Sequence, residues 1–194
     1  MPPFEGITLH LLDKHTAERE KQEILKVLKG QEAGIISEAG CPAVADPGAE
    51  LIHLAHVGHW VVKPLVGPSS ILMALMASGM NGQEFTFHGY LPVTSYDRIE
   101  KIKSIEHIAT ISGYTQIFIE TPFRNPDMLS DILKTCQPDT LLSVACEISL
   151  PTEEIYTKTI TAWQKKPIEL KGRPAVFSLW VDNRKPEKRK YGNK

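Results

Sequence analysis

Gly34-Ile35-Ile36-Ser37-Glu38-Ala39-Gly40-Cys41-Pro42-Ala43-Val44-Ala45-Asp46-Pro47-Gly48 is a short apolar run that breaks into a turn of small residues and then into a helix start. Asp46 suits a helix N-cap, and Pro47 suits the first helical position, where its fixed φ helps and its missing N–H costs nothing. The helix it opens carries Leu51, Ile52, Leu54 and Ala55 and stops near Gly58. Upstream, residues 7–12 read as a strand, and Thr16 caps a helix with Ile24, Leu25 and Leu28 on its apolar face, ending at Gly30. Downstream, residues 60–66 read as a strand leading through Gly67-Pro68-Ser69-Ser70 into a helix over 71–78. Three strand, turn and helix units in succession predict an α/β fold whose N-terminal domain holds a parallel sheet with right-handed crossovers. In such sheets ligands sit beyond the carboxyl ends of the strands, where the turns after Ser37 and Val66 fall.

Asn81-Gly82 marks a change of pattern. Beyond it, strands are expected over 85–90, 116–119, 141–146, 153–159 and 175–181. Helices are expected over 97–111 and 126–135, with a helical turn near Trp163. More strands, some of them antiparallel, imply a second domain of mixed sheet. The expected division is residues 1–82, residues 83–182 and a basic tail over 183–194.

Composition bounds the function. The 194 residues are 42% hydrophobic and 23% charged, with a formal net charge of −1, so polyanion binding must come from a local patch. The tail supplies one, with Arg184, Lys185, Lys188, Arg189, Lys190 and Lys194 against Glu187; it reads as a solvated tail first and an RNA-contacting arm second. Cys41, Cys136 and Cys146 are odd in number and far apart, which argues against a disulfide framework and for a reducing, cytoplasmic setting. No apolar run reaches the roughly 18 residues of a membrane span, and no signal peptide is expected. His53, His56 and His59 fan across a helix without a fourth ligand, so no metal is expected. G-x-G-x-x-G, Walker, H-E-x-x-H and G-x-S-x-G sequences are missing, which weakens dehydrogenase, NTPase, zinc protease and serine hydrolase readings.

Three loops remain as candidate sites. The glycines and prolines of 37–48 let a ligand approach the backbone, although an ordinary well-capped loop has the same composition. Ser69 and Ser70 stand at a helix start, free to cap it or to bind. Phe118-Ile119-Glu120-Thr121-Pro122-Phe123-Arg124-Asn125 puts an acid and a base at a strand exit, where Glu120 and Arg124 either position a polar substrate or pair with each other; Cys146-Glu147 and Thr152-Glu153 share that ambiguity.

Taken together, these motifs resemble the tetrapyrrole methylase family, and most closely its branch that methylates a cytidine ribose of small-subunit ribosomal RNA. Ser37-Glu38-Ala39-Gly40-Cys41-Pro42 and Asp46-Pro47-Gly48 are similar to S-D-A-G-x-P and D-P-G. Val66-Gly67-Pro68-Ser69-Ser70 resembles P-G-P-S-A, Gly89-Tyr90-Leu91-Pro92 resembles G-F-L-P, and 118–124 resembles F-Y-E-S-P-H-R. Cys146-Glu147-Ile148-Ser149 stands where the branch has R-E-L-T, and Gly172-Arg173 where a G-E pair is expected. The family's opening strand and T-P-I-G-N-like turn have no counterpart, which implies either a truncated chain or start-site error, or a shortened variant with an open pocket.

The resemblance implies a two-domain fold, S-adenosylmethionine bound between the domains, and a homodimer. It implies cofactor contacts at Ala39, Gly40, Cys41, Val44, Ser69 and Ser70, with Glu120 and Ile148 from the C-terminal domain. If the acceptor is a ribose hydroxyl, Glu38, Glu120 and His15 are the candidate bases. The leading expectation is an rRNA ribose 2′-hydroxyl methylase; the alternatives are a methylase of a tetrapyrrole or other small acceptor, and a cofactor- or partner-binding domain without turnover. Helix 71–78 and its flank, with Met73, Met76 and Met80, suit a core helix or a subunit contact.

Overall fold

The computed structural model describes residues 6–37 and 40–183. Glu38, Ala39 and the basic tail over 184–194 therefore lie outside the described residues. The chain packs as two compact units, Met1–Ser69 and Ser70–Lys194.

The first unit holds helices α1 (Glu18–Val27) and α2 (Ala49–Val57), joined by an ion pair between Lys21 and Glu50. Both begin later than their sequence signals. Thr16 spends its hydroxyl on the preceding turn, accepting from the Asp13 N–H at 2.9 Å, and α1 starts after Ala17, whose N–H the Glu20 carboxylate accepts at 2.8 Å. Asp46 and Pro47 stay in the loop, and Gly48 takes the N-cap of α2 at φ 130°.

The strands expected over 7–12, 34–37 and 60–66 correct in the same direction. These segments form no strand, and no ladder joins them among the described residues. A strand exists by pairing, and these segments expose the apolar side chains that pairing and packing would bury: Leu11 is 82% exposed and Leu65 92%. Only Gly48 and Leu51 are buried among the unit's described residues.

The second unit carries α3 (Ser70–Ser78), β1 (Phe85–Tyr90), α4 (Ser95–Ser112), β2 (Thr115–Ile119), α5 (Asn125–Thr135), β3 (Leu141–Cys146), β4 (Glu154–Thr159), α6 (Ile160–Lys165) and β5 (Ala175–Trp180). The strands form one mixed sheet of order β1-β2-β5-β3-β4, with β1 and β2 parallel and the other neighbours antiparallel. The α/β mixed sheet read from the sequence is present here, each strand within one residue of its expected bounds. Strand β5, apolar but for Ser178, is buried along its whole length, as a central strand of a sheet covered on both faces should be.

Alternate residues feed two apolar clusters. On one face Phe118, Leu142, Val144 and Phe177 meet Ile102, Ile105 and Ala109 of α4, Met128 and Ile132 of α5, and Trp163 of α6; Phe118 and Phe177 stack at 5.7 Å. On the other, Ile117, Ala145 and Val176 meet Ala74 and Leu75 of α3. Each fully buried large side chain contributes about 1.5–3 kcal/mol, so this unit holds most of the chain's apolar stabilisation.

Candidate functional site

Strand directions decide where the motif loops go. Because β1, β2 and β3 run one way and β4 and β5 the other, the exits of the first three and the entries of the last two share one edge of the sheet. That edge gathers Tyr90-Leu91-Pro92, Glu120 to Asn125, Glu147 to Ser149, Glu154 and Arg173. The motifs, scattered over some eighty residues of chain, become one rim.

Glu120, the first residue after β2, is only 4% exposed, and its side chain is wholly covered. Its Oε1 accepts from the Thr121 N–H and from Arg124 Nη2, each at 2.6 Å. Its Oε2 has no hydrogen-bond partner among the described residues, nor have Arg124 Nε and Asn125 Oδ1. Glu120 and Arg124 thus share one hydrogen bond and leave Glu120 Oε2 and Arg124 Nε without partners among the described residues. Of the two sequence readings of Glu120 and Arg124, pairing is observed, and a buried carboxylate oxygen is left over.

Ile148 sits at the rim in the connection after β3, packed against the Ile117, Ala145 and Val176 cluster. The residues on either side, Glu147 at φ 51° and Ser149 at φ 67°, are both left-handed, a backbone that non-glycine residues occupy only when their surroundings demand it. Hydrogen bonds from Thr152 first, and then from Arg173, hold the Glu147 carboxyl below its ordinary value of 4.5.

In the first unit, the 40–48 loop is irregular and also left-handed at Gly40, Ala43, Ala45 and Gly48. A Cβ added at Gly40 would meet nothing within 4 Å, whereas one at Gly48 would touch Ala43 and Ile35. Gly40 is thus open backbone and Gly48 is packed. Val44 is about half exposed. Cys41 Sγ reaches the Pro68 carbonyl at 3.4 Å, which ties this loop to the turn that carries Ser69. Small side chains at Gly40, Cys41 and Ala43 leave the loop backbone room for a ligand to approach. Ser70 is the first residue of α3 in the second unit.

His15 is placed elsewhere. Its N–H donates to Asp13 at 2.7 Å, and its side chain lines an open depression with His10, Asp13, Thr16 and Glu20 to which the 40–44 loop contributes nothing. Sequence reasoning gave no role to two rim residues, Arg173, which it noted only as a departure, and Asn125, which it quoted only as the end of its loop. The available signal was the Gly172-Arg173-Pro174 entry to β5, together with the acids Glu147 and Glu154 opposite it.

Comparison with known proteins adds relatives. The chain is 32% identical over 173 residues to ribosomal RNA small subunit methyltransferase I of Vibrio cholerae, covering 87% of this chain and 54% of that protein. The like-named protein of Escherichia coli O157:H7 is 32% identical over 167 residues, covering 83% and 57%, and that of Pasteurella multocida 34% over 140 residues, covering 71% and 48%. The chain spans about half the length of these curated relatives. Among solved structures it is similar in fold to the methyltransferase CobJ, with a TM-score of 0.62 at 17% identity over 94% of this chain and 78% of that one. It is similar also to uroporphyrin-III C-methyltransferase from Thermus thermophilus complexed with S-adenosylhomocysteine, with a TM-score of 0.51 at 16% identity over 86% and 74%. No protein-family model matches the chain.

Proposed function

The chain belongs to the tetrapyrrole methylase family, and from that premise we propose that it acts as an S-adenosylmethionine-dependent methyltransferase on small-subunit ribosomal RNA, at a ribose 2′-hydroxyl. What carries this reading is that the curated relatives, matched along most of the chain, bear the name of a small-subunit rRNA methyltransferase. By motif, Gly40, Cys41, Val44 and Ser69 in the first unit, and Ser70, Glu120 and Ile148 in the second, contact the cofactor, as does Ala39 in the undescribed part of the same loop. Within the second unit, Glu120 Oε2 has no partner among the described residues and suits a ligand that donates a hydrogen bond.

S-adenosylmethionine, when bound, supplies an electrophilic methyl group. The chain's own task is then orientation, because aligning acceptor and methyl removes most of the entropic barrier of an in-line displacement. A hydroxyl acceptor also has to lose its proton. Of the candidate bases, Glu120 carries the stronger case, since Oε2 has no hydrogen-bond partner among the described residues while Arg124 and the Thr121 N–H fix the carboxylate through Oε1. His15 stays in water, and Glu38 lies outside the described residues.

The free cysteines Cys136 and Cys146, both buried, support a reducing, cytoplasmic setting, and no helix among the described residues is long and apolar enough to cross a membrane. A homodimer is supported by the apolar hollow of Leu72, Leu75, Met76, Met80 and Phe85, where Met76 is 82% exposed.

The test is calorimetric titration with S-adenosylhomocysteine, followed by methyl transfer from labelled S-adenosylmethionine to undermodified small subunits, free rRNA and porphyrinoid acceptors. Binding with label on RNA ribose is expected, and Glu120→Gln should cut turnover about 100-fold, the usual worth of general base catalysis. Transfer to a porphyrinoid alone would replace the substrate, binding without transfer would leave a cofactor-binding domain, and no binding would end the methyltransferase reading.

A further inference from the structure

Arg173 is the most heavily used side chain on the rim. Nε donates to Glu147 Oε2 at 3.0 Å, and Nη1 to Glu154 Oε2 at 2.7 Å and to the Glu169 carbonyl at 2.9 Å. Nη2 donates to the Thr152 carbonyl at 3.0 Å and lies 2.9 Å from Glu147 Oε2. One planar cation thus grips both ends of the connection between β3 and β4, a geometry that only the guanidinium fork provides. The same residue reaches the other loop by its backbone, for the Arg173 carbonyl accepts from Asn125 Nδ2 at 2.7 Å. Beside it, the Gly172 N–H donates to the Pro122 carbonyl at 3.2 Å, and the Glu147 N–H to the Pro174 carbonyl at 3.0 Å.

Those two loops carry Ile148 and Glu120. The turn around Ile148 keeps two non-glycine residues in the left-handed region, a backbone that relaxes unless several contacts oppose it. Arg173 supplies three of the opposing contacts, to Glu147, Glu154 and the Thr152 carbonyl, and its backbone carbonyl takes the Asn125 amide of the Glu120 loop.

We propose that Arg173 is a positioning residue that locks the Ile148 turn and the Glu120 loop into one arrangement, and so sets both for the cofactor. The inference rests on the methyltransferase reading for the cofactor, but not for the coupling of the loops.

The test compares wild type, Arg173→Lys, Arg173→Met and Glu147→Gln in the full chain by amide hydrogen exchange and by titration with S-adenosylhomocysteine. In Arg173→Met, exchange of the Glu147, Leu150 and Gly172 amides should quicken by roughly tenfold or more, the worth of a lost charge-assisted hydrogen bond. Core amides of β3 and β5 should keep their wild-type rates, and S-adenosylhomocysteine should bind about tenfold more weakly by the same measure. Arg173→Lys, with the charge but not the fork, should fall between. Glu147→Gln keeps shape and removes the charge, so it loosens only the Ile148 turn and serves if Arg173→Met fails to fold. Core amides quickening together with the loops would reduce Arg173 to general stability and overturn the proposal, as would loosened loops with undiminished binding. If wild type binds no S-adenosylhomocysteine, the methyltransferase reading falls, while exchange still decides whether Arg173 couples the loops.

Discussion

His88 shows how one side chain ties stability to pH. Its Nε2 lies 2.8 Å from Gln116 Oε1, and Gln116 spends its own Nε2 on the Tyr114 carbonyl. Gln116 Oε1 is therefore the acceptor and the neutral imidazole carries its proton on Nε2. Burial first, then the repulsion of Lys101, holds the ring below its ordinary 6.5, against the pull of the Gln116 hydrogen bond. The folded state thus binds fewer protons than the unfolded one just below 6.5, and stability falls as pH drops through that value and levels below the folded pKa. His88→Gln keeps a donor and cannot titrate. Denaturant midpoints of wild type should fall from about pH 7.5 to 5.5 by more than those of the variant; equal slopes would show that His88 contributes nothing. The residue scale also held the quietest sequence signals. Glu120 and Ile148 were legible through their motifs, whereas Arg173 was legible only as a departure, because its worth lies in partners 19 and 26 residues away.

At the scale of the element, helix ends separate local from tertiary control. Helix α4 behaves as its sequence demands. Thr94 accepts from the Asp97 N–H at its start, and Gly113, at φ 72°, ends it with an N–H to the Ala109 carbonyl. The Gly113 carbonyl then accepts from Trp180 Nε1 at 2.9 Å and Asn81 Nδ2 at 3.1 Å, pinning the turn to the last strand. An added Cβ meets nothing there, so Gly113→Ala pays only for its left-handed backbone. It should destabilise by about 1–2 kcal/mol, and thermal unfolding of the variant checks this; no loss would mean that the turn relaxes freely. Helix α1 starts later than Thr16 suggests, because a side chain that can cap a helix can equally satisfy the turn before it, and α2 starts after Gly48 rather than at Asp46.

Across the whole molecule the two units differ in how well they are held. Strands β2, β3 and β5 are hydrogen-bonded on both sides and buried, while 7–12, 34–37 and 60–66 have no ladder. Amide exchange should therefore run in two tiers, with β2, β3 and β5 protected to the global limit and those three segments exchanging close to the open-chain rate; protection of the three segments would show that they pair in solution. The apolar alternation that revealed β1 to β5 revealed these segments equally, since alternation reports what a segment would bury and not whether a partner is there. By itself the sequence determined the α/β class, the five strands and three longer helices of the second unit, and the motif loops, because periodicity, caps and turn residues act within a few positions of each other. Only the tertiary structure decided that the three N-terminal segments go unpaired, that β5 lies between β2 and β3, and that Glu120, Ile148 and Arg173 meet on one rim, because strand pairing joins residues far apart in the chain and nothing local records the partner.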